Sequence, residues 1–138
     1  MVTILSREYG AQSVVVAIDV RKRGDSWRVY VEGGKREVRL DGVEWARRAE
    51  ELGAGELLVT SIDADGTGAG YDVNLYMAIS EIVNVPIIAS GGAGKVEHFA
   101  EVLRYVDAAL AASVFHMELI NIQRLKAYLM EAGIKVRI

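Results

Sequence analysis

The sequence predicts an α/β fold of parallel strands, on three observations. Short apolar runs alternate with amphipathic segments along the chain. The runs are apolar at successive positions rather than at every second one, which suits parallel strands buried on both faces. Each run is bounded by Asp, Ser or Gly and is followed by a helical pattern.

The first run is Val14–Ile18, terminated by Asp19. Residues 27–39 follow, with Trp27, Val29 and Val31 alternating and Gly33–Gly34 as a turn, so a β-hairpin is inserted in the first βα connection. Trp45, Ala46, Ala49 and Leu52 then share one helical face, with Arg47, Arg48, Glu50 and Glu51 turned outward. Leu57–Thr60 is the second run, and Leu75, Ala78, Ile79 and Ile82 repeat at helical spacing after it. Pro86–Ala89 is the third, followed by Val96, Phe99, Ala100 and Leu103. Ala108–Ala111 is the fourth. The last stripe, Ile122, Leu125, Leu129 and Ala132, opens on Asn121 as an N-cap and closes at Gly133.

This is βα four times over. No Pro- or Ser-rich linker interrupts it, so residues 1–138 read as a single domain. Four strands buried on both faces cannot close a barrel, since closure takes about eight. Left open, they would expose an apolar face and two unpaired edges. Either the chain pairs with a second copy or a complementary half, or it folds as a small doubly wound sheet. The first option uses the sequence better: half of a (βα)₈ barrel.

Composition bounds the function. Apolar residues make up 51% and charged residues 25% of the 138, an ordinary globular balance. A net charge of −3 leaves no excess cation to neutralise a nucleic-acid backbone, yet permits a small phosphorylated ligand. The absence of cysteine excludes disulfides, thiolate metal sites and cysteine nucleophiles. Arg7 and Glu8 break any apolar run near Met1, and no run is long enough for a membrane span, so a soluble cytoplasmic protein is expected. The many Arg–Glu pairs with a single proline suggest a heat-adapted source.

The most informative segment is Ile87-Ile88-Ala89-Ser90-Gly91-Gly92-Ala93-Gly94-Lys95, a strand running through three glycines into a helix. Glycines let backbone amides approach an anion, and the helix N-terminus adds partial positive charge. The plain alternative is a tight turn that needs positive φ. A second small-residue turn one unit later, Ala112-Ser113 before a short helix, favours the anion. Phosphate sites in (βα)₈ enzymes are built from the loops after the last two strands.

Asp19, and the segment Thr60-Ser61-Ile62-Asp63-Ala64-Asp65, lie at strand ends, where side chains meet substrate in a barrel mouth. Asp19 is a candidate general acid or base; Asp63 and Asp65 serve equally well as turn or helix caps. Residues 66–70 read as a loop over the mouth. His98 and His116 have no partners at metal-ligand spacing and read as surface or packing residues. No metal or other cofactor is expected.

Val14–Asp19, Leu58–Thr67, Pro86–Gly94 and Ala108–His116 together resemble the cyclase subunit of imidazole glycerol phosphate synthase, in order and across nearly the whole chain, but only its C-terminal half, strands five to eight. The related isomerase of the same pathway shares the plan, but the run Asp63–Thr67 sits closer to the cyclase. The resemblance implies a histidine-biosynthesis step. Ammonia from a glutaminase partner attacks a phosphoribulosyl-formimino ribotide, giving imidazole glycerol phosphate and an aminoimidazole carboxamide ribotide. It implies that Asp19 is one of two catalytic aspartates and that Gly92, Ala93, Ala112 and Ser113 hold one of two substrate phosphates. Ser90, Gly91 and Gly94 belong to the same loop, and Thr60, Asp63 and Asp65 match site-lining positions. The other aspartate and phosphate site belong to the absent half. The junction 103–107 lacks the glycine usual in the family and is one residue short, which implies a shifted phosphate loop. The alternative is a non-catalytic, self-associating phosphate-binding half-barrel, or an unrelated structural α/β module.

Overall fold

The computed structural model describes residues 1–137. It is an α/β arrangement around a six-stranded, mainly parallel sheet. Helix α1 (Val2–Tyr9) and a 3₁₀ turn at Ala11–Ser13 come first. Strands β1 (Val15–Arg23), β2 (Ser26–Val31) and β3 (Arg36–Asp41) follow, then helix α2 (Gly42–Glu51). Next are β4 (Glu56–Ser61), α3 (Val73–Ser80), β5 (Ile87–Ser90), α4 (Val96–Val102), β6 (Ala108–Leu110), α5 (Ser113–His116) and α6 (Ile122–Glu131). The strand order is β3-β2-β1-β4-β5-β6; β1, β4, β5 and β6 are parallel, while β2 and β3 pair antiparallel.

Helix starts follow from local chemistry. Asp41 caps α2 by accepting from the N–H groups of Val43 and Glu44, and Asn121 caps α6 by accepting from Gln123 and Arg124. Gly133 ends α6 at φ +77, a conformation other residues seldom adopt. The turn at 103–107 closes without a glycine. The Asp107 N–H donates to the Ile87 carbonyl, and the Asp107 carboxylate accepts from Ile87 N–H. Ala108 thus enters in register with Ile88.

Two expectations are corrected here, and one helix was not foreseen. β1 does not stop at Asp19; it runs on to Arg23, because β2 pairs with Asp19–Arg23 and continues the ladder. Helix α1 was not foreseen: its apolar residues form no buried stripe. Nor are the parallel strands buried on both faces. Ile18, Val20, Leu57, Val59, Ile87 and Ala89 are buried beneath the helices. The opposite face, with Val15 (52% exposed) and Leu110 (43%), is uncovered. The second apolar face of these runs is left with no layer over it.

Candidate phosphate and acid–base site

Strand register assembles the site. Asp19 pairs with Thr60, Thr60 with Ser90, and Ser90 with Leu110, so these four form one row on the uncovered face near the strands' C-terminal ends. At about 4.8 Å between neighbouring strands, Asp19 and Ser90 lie roughly 10 Å apart.

A cavity of about 130 Å³ opens at the Ser90 end of the row. It is lined by Ser90, Gly91, Gly92 and Ala93 from the loop after β5 and by Leu110, Ala111, Ala112 and Ser113 from the turn after β6. Asp65 and Gly66 complete the lining. The volume suits a small group rather than a whole nucleotide. Among the described residues, the N–H groups of Gly92, Ala93, Ser113 and Val114 meet no protein acceptor. No lysine or arginine lines the cavity, so an anion there would be held by amides and the Ser113 hydroxyl. Gly94 lies outside the lining, and its N–H is taken by His98 Nδ1 at 3.1 Å.

A second cavity flanks Asp19, lined also by Arg21, Gly33, Gly34, Thr60, Ile62 and Asp65. Asp65 lines both cavities. Asp63 borders neither. Its carboxylate accepts the Lys22 N–H at 2.7 Å and lies 3.4 Å from Arg21 Nε, tying the loop after β4 to β1. The structure therefore brings Asp19, Thr60 and Asp65 around one hollow and Ser90, Gly91, Gly92, Ala93, Ala112 and Ser113 around the other. Gly94 and Asp63 act outside both. His116 is exposed at the end of α5, while His98 caps α4.

Two of the glycines are also demanded by packing. A Cβ on Gly92, at φ +111, would lie 2.0 Å from the Gly70 carbonyl oxygen, and one on Gly94 would lie 2.0 Å from that of Gly68. The loop after β4 thus rests directly on the glycine loop, and the Gly70 N–H donates to the Gly92 carbonyl at 2.8 Å.

Sequence reasoning missed the aromatic support below. Tyr76 is fully buried, and its hydroxyl accepts the Ser90 N–H (3.0 Å) while sitting 2.9 Å from the carbonyl oxygens of both Val59 and Ser90. The Tyr71 hydroxyl donates to the Leu110 carbonyl at 2.9 Å, and its ring packs edge-on against Tyr76 and Phe99. Burial pushes both phenols well above their ordinary pKa, so they stay neutral donors. Tyr76 falls on the buried stripe of α3, and that spacing was the available signal. Trp27 Nε1 donates to the Asp72 carboxylate at 2.7 Å, which anchors the hairpin to the start of α3.

The family described as histidine biosynthesis protein matches residues 1–121. Imidazole glycerol phosphate synthase subunit HisF of Metallosphaera sedula is 55% identical over 139 residues, covering 99% of this chain and 55% of that protein. The HisF subunits of Pyrobaculum aerophilum and Clostridium botulinum strain Okra are 54% and 52% identical, covering 100% and 94% of this chain. The chain spans about half the length of the curated relatives it matches.

Proposed function

The chain belongs to the histidine biosynthesis protein family, within its HisF group, and from that membership we propose that it is the C-terminal half of a (βα)₈ cyclase barrel. It binds one phosphate of a phosphoribulosyl-formimino ribotide and contributes one of two acid–base aspartates. The observation that carries this reading is the row Asp19–Thr60–Ser90–Leu110, which sets an acid–base candidate and an amide-lined cavity on one uncovered face.

In this reading the phosphate sits among the free N–H groups of Gly92, Ala93, Ser113 and Val114, with Ser90, Gly91 and Ala112 closing the walls. Oriented amides hold an anion without a counter-ion side chain. The substrate then extends past Asp65 toward Asp19 and Thr60. The Asp19 carboxylate accepts or returns a proton as ammonia adds and the imidazole ring closes. The complementary half supplies the second aspartate and the second phosphate grip, and a glutaminase subunit supplies ammonia.

Binding is tested first with inorganic phosphate. Titration followed by NMR is expected to shift the amide signals of Gly92, Ala93, Ser113 and Val114, and Ser113→Asp, which sets a negative charge at the cavity rim, is expected to abolish those shifts. No shifts in the parent, or shifts unchanged in the variant, place the phosphate elsewhere.

A second reading, a non-catalytic phosphate-binding half-barrel that self-associates, is favoured by one observation. The row Ala17–Leu58–Ile88–Ala108 runs across the uncovered face and carries only apolar side chains. A second copy would cover it.

A further inference from the structure

We infer that His98 is a positioning residue: its imidazole Nδ1, acting as an acceptor, holds the glycine loop in the shape that turns the Ala93 N–H into the cavity. The inference rests on reading that cavity as a phosphate site.

Helix α4 starts badly by the usual rules. Its N-cap is Lys95, whose side chain has no acceptor to offer the first helical amides. His98, in the first turn, reaches back instead. Its Nδ1 lies 3.1 Å from Gly94 N and 3.3 Å from Lys95 N, so one ring atom satisfies two N–H groups that would otherwise be orphaned. Accepting at Nδ1 places the ring's proton on Nε2.

The same ring lies beside the other half of the clamp. A Cβ on Gly70 would lie 3.6 Å from His98 Cδ2 and Nε2, so the imidazole stands over Gly70. Gly70 N–H in turn donates to the Gly92 carbonyl at 2.8 Å. Because the peptide is planar and trans, its C=O and N–H point in opposite directions. The bond from Gly70 to the Gly92 carbonyl therefore sends the Ala93 N–H away from Gly70. The bond from Gly94 N–H to His98 fixes the next peptide. Both peptides flanking Ala93 are pinned, one by Gly70 and one by His98, and the His98 ring lies beside Gly70 as well. Without the Nδ1 acceptor, the Gly70 bond alone holds the peptide that carries the Ala93 N–H, and the loop is no longer fixed on its helix side.

Three proteins test this: the parent, His98→Asn, whose side-chain oxygen takes the place of Nδ1, and His98→Leu, which fills similar space without an acceptor. In each, inorganic phosphate is titrated against the Ala93 and Ser113 amide signals, and hydrogen exchange is read at Gly94 and Lys95 without phosphate. His98→Leu is expected to bind about fivefold more weakly, the effect of losing one cap, and His98→Asn to stay within about twofold of the parent. Exchange at Gly94 and Lys95 should quicken in the Leu variant alone. His98→Leu matching the parent in both readouts overturns the inference, as does His98→Asn behaving like His98→Leu. If the parent binds no phosphate, the cavity reading fails, and the exchange arm still decides whether His98 holds the loop. His98→Ala replaces the Leu variant if that one does not fold.

Discussion

Below the glycine loop, a single buried hydroxyl joins two strands: Tyr76 accepts from Ser90 N–H and lies against the Val59 carbonyl, so β4 and β5 share one partner beside the cavity. Tyr76→Phe leaves the ring's packing intact but deprives Ser90 N–H of that acceptor. The expected cost is about 1–3 kcal/mol, read as a lower denaturant midpoint at unchanged slope; a variant as stable as the parent contradicts the role given to the hydroxyl. The glycines show how residue-scale reading runs out. Three glycines before a helix point to an anion cradle, and the cavity lies where that pattern puts it. The clash distances at Gly92 and Gly94 come from residues 68 and 70, about twenty-five positions away, and no local pattern carries that packing. Gly92→Val would push the loop after β4 off its seat, so it reports on packing before it reports on phosphate.

Among the elements, the helices with an apolar stripe were legible, because a 3.6-residue period needs no knowledge of the partner. Helix α1 was passed over: Val2, Leu5 and Tyr9 share a face, but the stripe is short and none of the helix's residues is buried. The end of β1 was hidden for a related reason. Arg21, Lys22 and Arg23 look like the start of a loop, yet their backbones pair with Arg28, Trp27 and Ser26. The hairpin gives an acid-sensitive prediction. The Tyr30 hydroxyl donates to the Glu37 carboxylate at 2.6 Å and Arg23 lies 3.2 Å from it, which together hold that carboxyl below its ordinary pKa. A depressed folded pKa stabilises above the unfolded value, and the contribution is lost as pH falls through the folded one. Amides of β2 and β3 are therefore expected to lose protection on acidification through and below the usual carboxylate range. In Glu37→Gln that acid-dependent change should be absent. Equal pH dependence in the two proteins would show that another group governs the hairpin.

For the whole molecule, the sheet has one covered face and one open face. The sequence carried the reason, since runs apolar at successive positions ask for burial on both sides while four parallel strands cannot close on themselves. It did not carry which face the helices take; that follows from register, which leaves Ala17, Leu58, Ile88 and Ala108 in one apolar row without a helix over it. Large exposed apolar patches mark association surfaces. The chain is expected to self-associate at micromolar concentration, and Leu58→Asp, which puts a charge in the middle of that row, to shift it toward monomer in sedimentation. A parent that sediments as a monomer would require the open face to be stable in water.

The cyclase reading is tested most directly by reconstitution. The chain is mixed with the matching N-terminal half-barrel of a HisF relative and assayed for ammonia-dependent formation of imidazole glycerol phosphate. The account predicts little or no turnover from either half alone, turnover from the mixture, and its loss when Asp19→Asn replaces the parent. Full activity from the lone chain, or a mixture that forms a one-to-one complex and turns over equally well with Asp19→Asn, would contradict it.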